Sequence, residues 1–137
     1  MDATPLEIRD ALMGYWFNNF TSHFTYYPDT NPNDIPAKDP WVSFDIRFTA
    51  SETVIKGSVA SATSSGTITR HRGVVFIEIH TQPLTGTKTS YNIATDVCNL
   101  MERKRIGGVV TRNANIQELS LDNNYSILVV EIPFLTT

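Results

Sequence analysis

The segment from Trp41 to Phe48 alternates between apolar and polar residues, and this pattern restricts the fold more than any other feature of the sequence. Successive residues of a β-strand point to opposite sides, so the alternation predicts a strand with one buried face and one polar face. The buried face consists of Val42, Phe44, Ile46 and Phe48, and the polar face of Ser43, Asp45 and Arg47. Such a strand needs a sheet around it and further elements that cover one side of that sheet.

A helix that can provide this cover is predicted over about 4–20. Thr4-Pro5-Leu6-Glu7 has the residues of a capping box, with a proline at the first helical position. Met13 and Phe17 lie off the buried face, which indicates that the helix is covered on more than one side. The buried face itself consists of Ile8, Ala11, Leu12, Tyr15, Trp16 and Phe20.

A second helix is predicted over about 87–104. Gly107-Gly108 is expected to end it. The cations of Glu102-Arg103-Lys104-Arg105 are expected in its last turn, where they would complement the negative end of the helix dipole. Its apolar stripe consists of Tyr91, Ala94, Val97, Cys98 and Met101, flanked by Ile93 and Leu100.

Several further segments have the composition of strands. Phe24–Tyr27 is one, and Thr53–Ala60 is a weaker one. The segment from Gly73 to His80 contains four consecutive apolar residues, which predicts burial on both faces. Two final strands are predicted over about 109–119 and 125–135, joined by the turn sequence Asp122-Asn123-Asn124.

These elements predict one domain over residues 1–137. The order α-β-β-β-α-β-β favours the α+β class, with a mainly antiparallel sheet and two helices packed on it. The segment 29–40, which has a proline at every fourth position from Pro28 onward, and the small, polar segment 61–67 are predicted as exposed loops. Either loop is long enough to reach a neighbouring molecule.

The charge of the chain limits the partners that it can bind. The formal net charge is −3 and the sequence pI is about 5.5. No basic stripe of the kind that grips nucleic acid non-specifically is visible in the sequence. Arg70-His71-Arg72 is a small basic cluster, read either as a solvated strand end or as a contact to another subunit or an anion.

We find no motif that indicates an enzyme, a cofactor or a metal. His23, His71 and His80 have no second ligand at metal spacing, and Cys98 is expected to be a buried, inert thiol. Gly86-Thr87-Lys88-Thr89 lacks the spacing of a phosphate-binding loop. An aromatic pocket over the sheet remains an alternative, although core packing explains its residues more readily: Trp16, Phe17, Phe44, Phe48 and Phe76.

The location of the protein is predicted from two further features. No run of about 20 apolar residues is present, so no membrane span is expected. Asp2, Glu7 and Asp10 occupy the part of the sequence where a secretory signal has basic and apolar regions. We therefore expect the protein in the cytoplasm, or in an assembly that is built there.

The pattern from Arg72 onward resembles a known family. A strand Arg-Gly-Val-Val-Phe-Ile-Glu-Ile continues into His-Thr-Gln-Pro-Leu-Thr-Gly-Thr, and a helix rich in Ala, Val and Leu follows. A strand, a polar turn and a closing strand that contains Ile-Pro-Phe complete the pattern. This order resembles the tail terminator, or tail completion, proteins of long-tailed bacteriophages, and the first half of the chain resembles them more loosely.

The resemblance implies a structural virion protein at the head-proximal end of the phage tail, assembled in the host cytoplasm. Such proteins form a ring, usually of six subunits, that caps the tail tube protein and presents the docking surface for the head connector or stopper protein. DNA passes through the ring without being gripped. Another head–tail joining protein, such as an adaptor or stopper, and a small ligand-binding α+β domain are the alternatives. We predict Trp41, Arg70, His71 and Arg72 as interface residues, Trp41 because a large aromatic on the polar side of a strand needs cover.

Overall fold

The fold is seen in a computed structural model that describes residues 4–28, 40–55, 67–81, 88–119 and 126–136. Of residues 52–55 and 67–68 only the backbone is described. The two helices are α1 (Pro5–Asn19) and α2 (Lys88–Met101). The strands are β1 (Phe24–Tyr26), β2 (Trp41–Ile55), β3 (Thr67–Thr81), β4 (Arg105–Ile106), β5 (Val109–Thr111), β6 (Asn115–Glu118) and β7 (Ser126–Thr136).

The strands form one sheet in the order β1-β2-β3-β7-β5-β4, and β6 also pairs with β7. All pairs are antiparallel except β1–β2, which is parallel. The predicted α+β class, the mainly antiparallel sheet and the order α-β-β-β-α-β-β are confirmed. The predicted strand over 109–119 is divided into β5 and β6, and the two-residue β4 precedes it.

The start of α1 has the predicted capping box. The Thr4 hydroxyl accepts a hydrogen bond from the Glu7 backbone N–H at 3.2 Å, and the Glu7 carboxylate accepts one from the Thr4 N–H at 3.1 Å. Two N–H groups that a helix start leaves unpaired are thereby satisfied. Of the two residues for which cover on a second side is predicted, Met13 is half-buried against the core, and Phe17 is 68% exposed in the single chain.

Both helices pack on the same face of the sheet, and the core lies between them and the strands. Trp16 stacks on Phe20 with ring centroids 4.2 Å apart, and its indole N–H donates to the Thr25 hydroxyl. The Tyr15 hydroxyl donates to the Leu100 carbonyl and so links α1 to α2. The buried sheet residues under the helices include Val42, Phe44, Val75, Ile77, Ile79, Leu128, Val130, Ile132 and Phe134.

β2 replaces the two strands predicted over 41–48 and 53–60. It continues to Ile55 because a bulge between Phe48 and Ala50 absorbs the extra residue without ending the pairing with β3. Residues 56–60 lie outside the described residues. Up to the bulge the predicted alternation holds at Val42 and Phe44, which are buried, whereas Phe48 is 42% exposed.

The prediction that β3 is buried on both faces is wrong. Val75, Ile77 and Ile79 are buried under the helices, while Val74 and Phe76 on the other face are half-buried. No described helix covers that other face, which we call the helix-free face. The uninterrupted apolar run therefore belongs to an antiparallel strand that is fully buried on one face only. On the helix-free face its side chains are half-buried among their neighbours in the sheet.

The end of α2 also differs from the prediction. The helix ends at Met101, and Arg103 adopts a positive φ of 53°. The cations therefore do not lie in the last helical turn, which contains no basic residue. Gly107-Gly108, expected to stop the helix, instead connects β4 to β5, with Gly107 at a φ of 61°.

The apolar stripe of α2 is rotated relative to the prediction. Ile93, expected at its flank, is 2% exposed, whereas Tyr91, expected within it, is 40% exposed. The Tyr91 hydroxyl donates to the Glu118 carboxylate at the end of β6, on the same side of the sheet. The loops predicted over 29–40 and 61–67, the turn Asp122-Asn123-Asn124 and the phosphate-loop segment fall wholly or largely outside the described residues.

Candidate interaction surface

The four predicted interface residues occupy two separate places on the sheet. Trp41 pairs with His80 at one end of β3, and Arg72 pairs with Ala50 near the other end. Eight residues of strand separate these positions, which corresponds to roughly 26 Å. The four residues therefore do not form one site, and their role in an interface stays a prediction.

Trp41 is covered by its own chain. Its ring stacks on the His80 ring with centroids 3.9 Å apart and an angle of 2° between the planes, and the Tyr26 ring meets it edge-on. The Trp41 side chain is 8% exposed. The argument that this residue needs cover from another subunit is therefore not supported by its surroundings.

The cluster Arg70-His71-Arg72 is divided between the two faces of the sheet, as adjacent strand residues must be. The His71 ring lies on the helix side, edge-on to the Phe48 ring at 6.1 Å. Arg70 and Arg72 lie on the helix-free face. The Nε atom of Arg70 is buried and has no hydrogen-bond partner among the described residues.

The sheet register places Arg72 in one row with a second arginine. Arg72 pairs with Leu135 of β7, Leu135 pairs with Val110 of β5, and Val110 pairs with Arg105 of β4. Paired residues point to the same face, so both arginines project from the helix-free face with two apolar side chains between them. Both arginines are exposed, and three strand spacings put them about 14 Å apart.

The next row adds two more arginines. Arg47 pairs with Val74, which pairs with Pro133, and the Arg112 N–H donates to the Pro133 carbonyl at 2.8 Å. Arg112 is exposed and shares a groove of about 400 Å³ with Val110. We call the set the arginine end of the sheet; it consists of Arg47, Arg70, Arg72, Arg105 and Arg112.

The acidic residues near the arginine end are fewer than the arginines. The Asp45 carboxylate accepts from the Arg47 guanidinium at 3.3 Å, and Glu52 lies opposite Arg70 in the register. The arginines come from four separate stretches of sequence, so no basic run announces them. Sequence reasoning missed this surface because only the register of five strands brings its members together.

A second exposed surface lies on the outer side of α1. Leu6, Asp10, Met13 and Phe17 recur at helical spacing along α1. Leu6, Asp10 and Phe17 are exposed, whereas Met13 lies at the border of this side, is half-buried and packs against the core. Leu6 and Phe17 are 64% and 68% exposed, the two highest values among the large apolar side chains of the described residues. These four residues are called the α1 stripe below. Apolar residues on two sides of a helix are typical of a helix that is covered on both sides.

β2 and β3 extend beyond the rest of the sheet as a two-stranded ribbon. β7 pairs with β3 only from Arg72 to Thr81, so the stretch of β3 before Arg72 pairs with β2 alone among the described strands. On its other side, β2 pairs with β1 only over 41–43. Residues 44–55 therefore present an edge that no described strand occupies, interrupted by the bulge near Phe48.

The aromatic residues considered for a ligand pocket do not gather around one cavity. Trp16 and Phe44 lie in the core with ring centroids 5.3 Å apart. Phe76 lies on the helix-free face beneath the Arg47 guanidinium, and Phe17 points away from the core. The cavity that Phe48 and Phe44 do line, with Met13 and Tyr27, has a volume of about 140 Å³.

Four side chains have pKa values shifted by their surroundings. A hydrogen bond from His80 lowers the pKa of Glu78 and outweighs burial, which acts in the opposite direction, while the His80 and Arg47 charges lower this pKa further. The hydrogen bond to Glu118 raises the pKa of Tyr91. Burial, followed by the Glu102 charge, raises the pKa of the Cys98 thiol, and burial raises that of Tyr27. None of these groups faces another across a cavity in the described residues.

The described residues contain neither a metal-ligand cluster nor a helix that could cross a membrane. No three His, Cys, Asp or Glu side chains lie together in an arrangement that could hold a metal ion. Neither of the helices in the described ranges has the length and apolar character to cross a membrane.

Comparison with known proteins relates this chain to others through its fold. No protein-family model matches the sequence, and no curated protein matches it. A solved structure whose designation names no function superposes with a TM-score of 0.60 at 13% identity, over 95% of this chain and 90% of that one. A likeness at this identity shows a shared fold over nearly the whole chain, and function has to be argued from the surfaces of the molecule.

Proposed function

We propose that this chain is a tail terminator of a long-tailed bacteriophage, a structural subunit that assembles with copies of itself into a ring. The ring, of six subunits as the resemblance implies, caps the tail tube at its head-proximal end and stops its growth. The head connector or stopper protein then docks on the ring, and DNA passes through its lumen.

The observation that carries the proposal is the ribbon formed by β2 and β3. Two strands without further partners are at best marginally stable in water. An unoccupied strand edge is also a template for pairing with another chain. The residues of β3 that precede Arg72 pair with β2 alone among the described strands. The open edge of β2 runs over residues 44–55. A subunit that is completed by its neighbour explains both features.

The positions of the two exposed surfaces support an assembly role as well. The apolar residues on α1 and the arginine end lie on different sides of the subunit. A surface that is not complementary to itself produces head-to-tail contacts, which close into a ring when the rotation between subunits permits.

The experiment that tests the proposal is binding to tail tubes. Tubes assembled from the tail tube protein of the same phage or prophage are incubated with the gold-labelled protein and imaged in negative stain. We expect label at one end of each tube and shorter tubes when the protein is present during polymerisation. Label along the sides of the tubes, or no label with unchanged tube length, contradicts a terminator function.

A further inference from the structure

The α1 stripe and the arginine end match each other in length. From Leu6 to Phe17 the stripe runs about 17 Å, since an α-helix rises ~1.5 Å per residue. The row from Arg72 to Arg105 spans about 14 Å across four strands. A helix lying along that row would meet both arginines near the two ends of its stripe.

The two surfaces also match in composition. Between its arginines the arginine end has four half-buried apolar side chains: Val74, Val110, Pro133 and Leu135. An apolar centre with a charged rim, in which arginine is enriched, is the usual composition of a protein interface. Phosphates offer nothing for an apolar centre to contact, so this centre favours a protein partner over nucleic acid.

The acidic groups that would face the arginines lie at the start of α1. Asp10 is within the stripe, and its side chain is 62% exposed although Arg9 contacts it at 3.4 Å. Glu7 is adjacent and also exposed. A carboxylate has about four acceptor sites, so one intramolecular contact leaves room for an arginine from another molecule.

The charge of the whole chain points to a second copy as the partner. The formal net charge is −3, and the arginine end contributes five positive charges, so the remainder of the chain has a net charge of −8. A second copy therefore offers the arginine end a surface of opposite sign. The contact cannot form within one molecule, because α1 covers the helix side of the sheet and the arginines project from the other.

We propose that the α1 stripe of one copy packs across the arginine end of the next, an interface that rests on the proposed ring function and names its two surfaces. Phe17 and Leu6 contact the apolar centre, and Asp10 accepts from Arg72 or Arg105. Each copy uses two different surfaces, so every copy in a closed ring donates its helix to one neighbour and receives a helix from the other.

Two variants test the two surfaces of this interface one at a time. The first, Arg72→Asp with Arg105→Asp, reverses the charge of the arginine end. The second, Leu6→Ser with Phe17→Ser, removes the two exposed apolar side chains from the stripe. Lys88→Asp is the matched control, because it reverses an exposed charge at the start of α2, away from both surfaces. Arg105→Asp alone is a further variant in case the double reversal disturbs the fold, and circular dichroism verifies folding of each.

Analytical ultracentrifugation over a concentration series measures the self-association of each variant. We expect each of the two variants to shift the association midpoint by more than about tenfold, and the control to shift it little. Mixed at equal amounts, the variants should form a dimer that contains one copy of each and grows no further, because only one intact pair of surfaces remains.

Three results overturn the inference. Rings that persist in both variants show that another surface joins the copies, and leave the proposed function intact. A wild-type chain that stays monomeric at every concentration excludes the interface, and the tail-tube experiment then decides the function independently. A monomer that binds a 30-base-pair DNA duplex and loses this binding on arginine reversal assigns the surface to nucleic acid instead.

Discussion

Trp41 and His80 are stacked face to face on neighbouring strands, with ring centroids 3.9 Å apart and planes within 2° of parallel. The two residues are direct partners in the register of β2 and β3. Their contact lies on the helix-free face, at the end of the sheet farthest from the arginine end. A residue chosen from the sequence as an interface residue is therefore part of the packing of the single chain.

Trp41→Ala is expected to destabilise the monomer. Large buried aromatic residues cost about 3–5 kcal/mol when they are truncated, and the Trp41 position near the sheet edge favours the lower value. Phe24→Ala is the control, because Phe24 is the partner of Trp41 on β1 and is 36% exposed. Urea unfolding measures both. If the Trp41 variant kept its stability but no longer self-associated, this result would identify Trp41 as an interface residue.

Gly73→Ala is expected to destabilise the sheet by steric overlap. A Cβ at this position would overlap the Arg47 carbonyl oxygen and would lie 2.5 Å from the Phe134 ring. Overpacking of this kind costs about 1–3 kcal/mol. Gly14→Ala has no atom within 4 Å of its new Cβ and lies in α1, so it should stabilise by about 0.5–1 kcal/mol. Thermal unfolding of both variants should give shifts of opposite sign, and equal shifts would contradict the packing described.

Thr111→Val tests the connection between α2 and the β4–β5 hairpin. The Thr111 hydroxyl donates to the Met101 carbonyl at the end of α2 and accepts from the Lys104 N–H at 2.7 Å. Valine has nearly the same shape but leaves both backbone groups without this partner, which costs about 1–3 kcal/mol at a buried site. Thr95→Val, on the exposed side of α2, is the control and should change the unfolding free energy little. Equal effects of the two substitutions would show that the hydroxyl contact is not important.

Glu78→Gln is expected to remove a pH-dependent contribution to stability. The pKa of Glu78 is lowered in the folded state, chiefly by the hydrogen bond from His80. The ionised carboxylate therefore stabilises the fold above its ordinary pKa of 4.5, and this stabilisation is lost as the pH falls through the lowered value. Because the Glu78 side chain is 43% exposed, we expect a difference below about 1 kcal/mol.

Urea unfolding at pH 7 and at pH 3 measures this difference, which should be present at the higher pH and smaller at the lower one. Glu131→Gln is the control, since Glu131 lies on the same face and makes no side-chain hydrogen bond among the described residues. A Glu78 variant whose loss of stability is the same at both pH values would contradict the role of the carboxylate charge.

The local elements of this fold could be predicted from the sequence because their signals are local. The capping box fixed the start of α1, and the alternation from Trp41 predicted the buried face of β2. The end of α2 could not be predicted from Gly107-Gly108. Arg103, at a positive φ, donates from its backbone N–H to the Arg112 carbonyl and from its guanidinium to Asn113, and both partners follow the β4–β5 hairpin in the chain.

The candidate surface was even less accessible to sequence reasoning. Arg47, Arg72 and Arg105 lie on three strands, and nothing in their spacing shows that they share a face. A shift of one residue in any strand would move its arginine to the helix side. Only the register of the folded sheet reveals this cluster of arginines in a mildly acidic chain.

Native mass spectrometry of the wild-type protein over a concentration series, with negative-stain images of any large species, tests the assembly proposal most directly. We predict a closed ring of one defined subunit number, six by the family resemblance, whose population increases with concentration at the expense of the monomer. A chain that remains monomeric at every concentration and also fails to bind isolated tail tubes would contradict it.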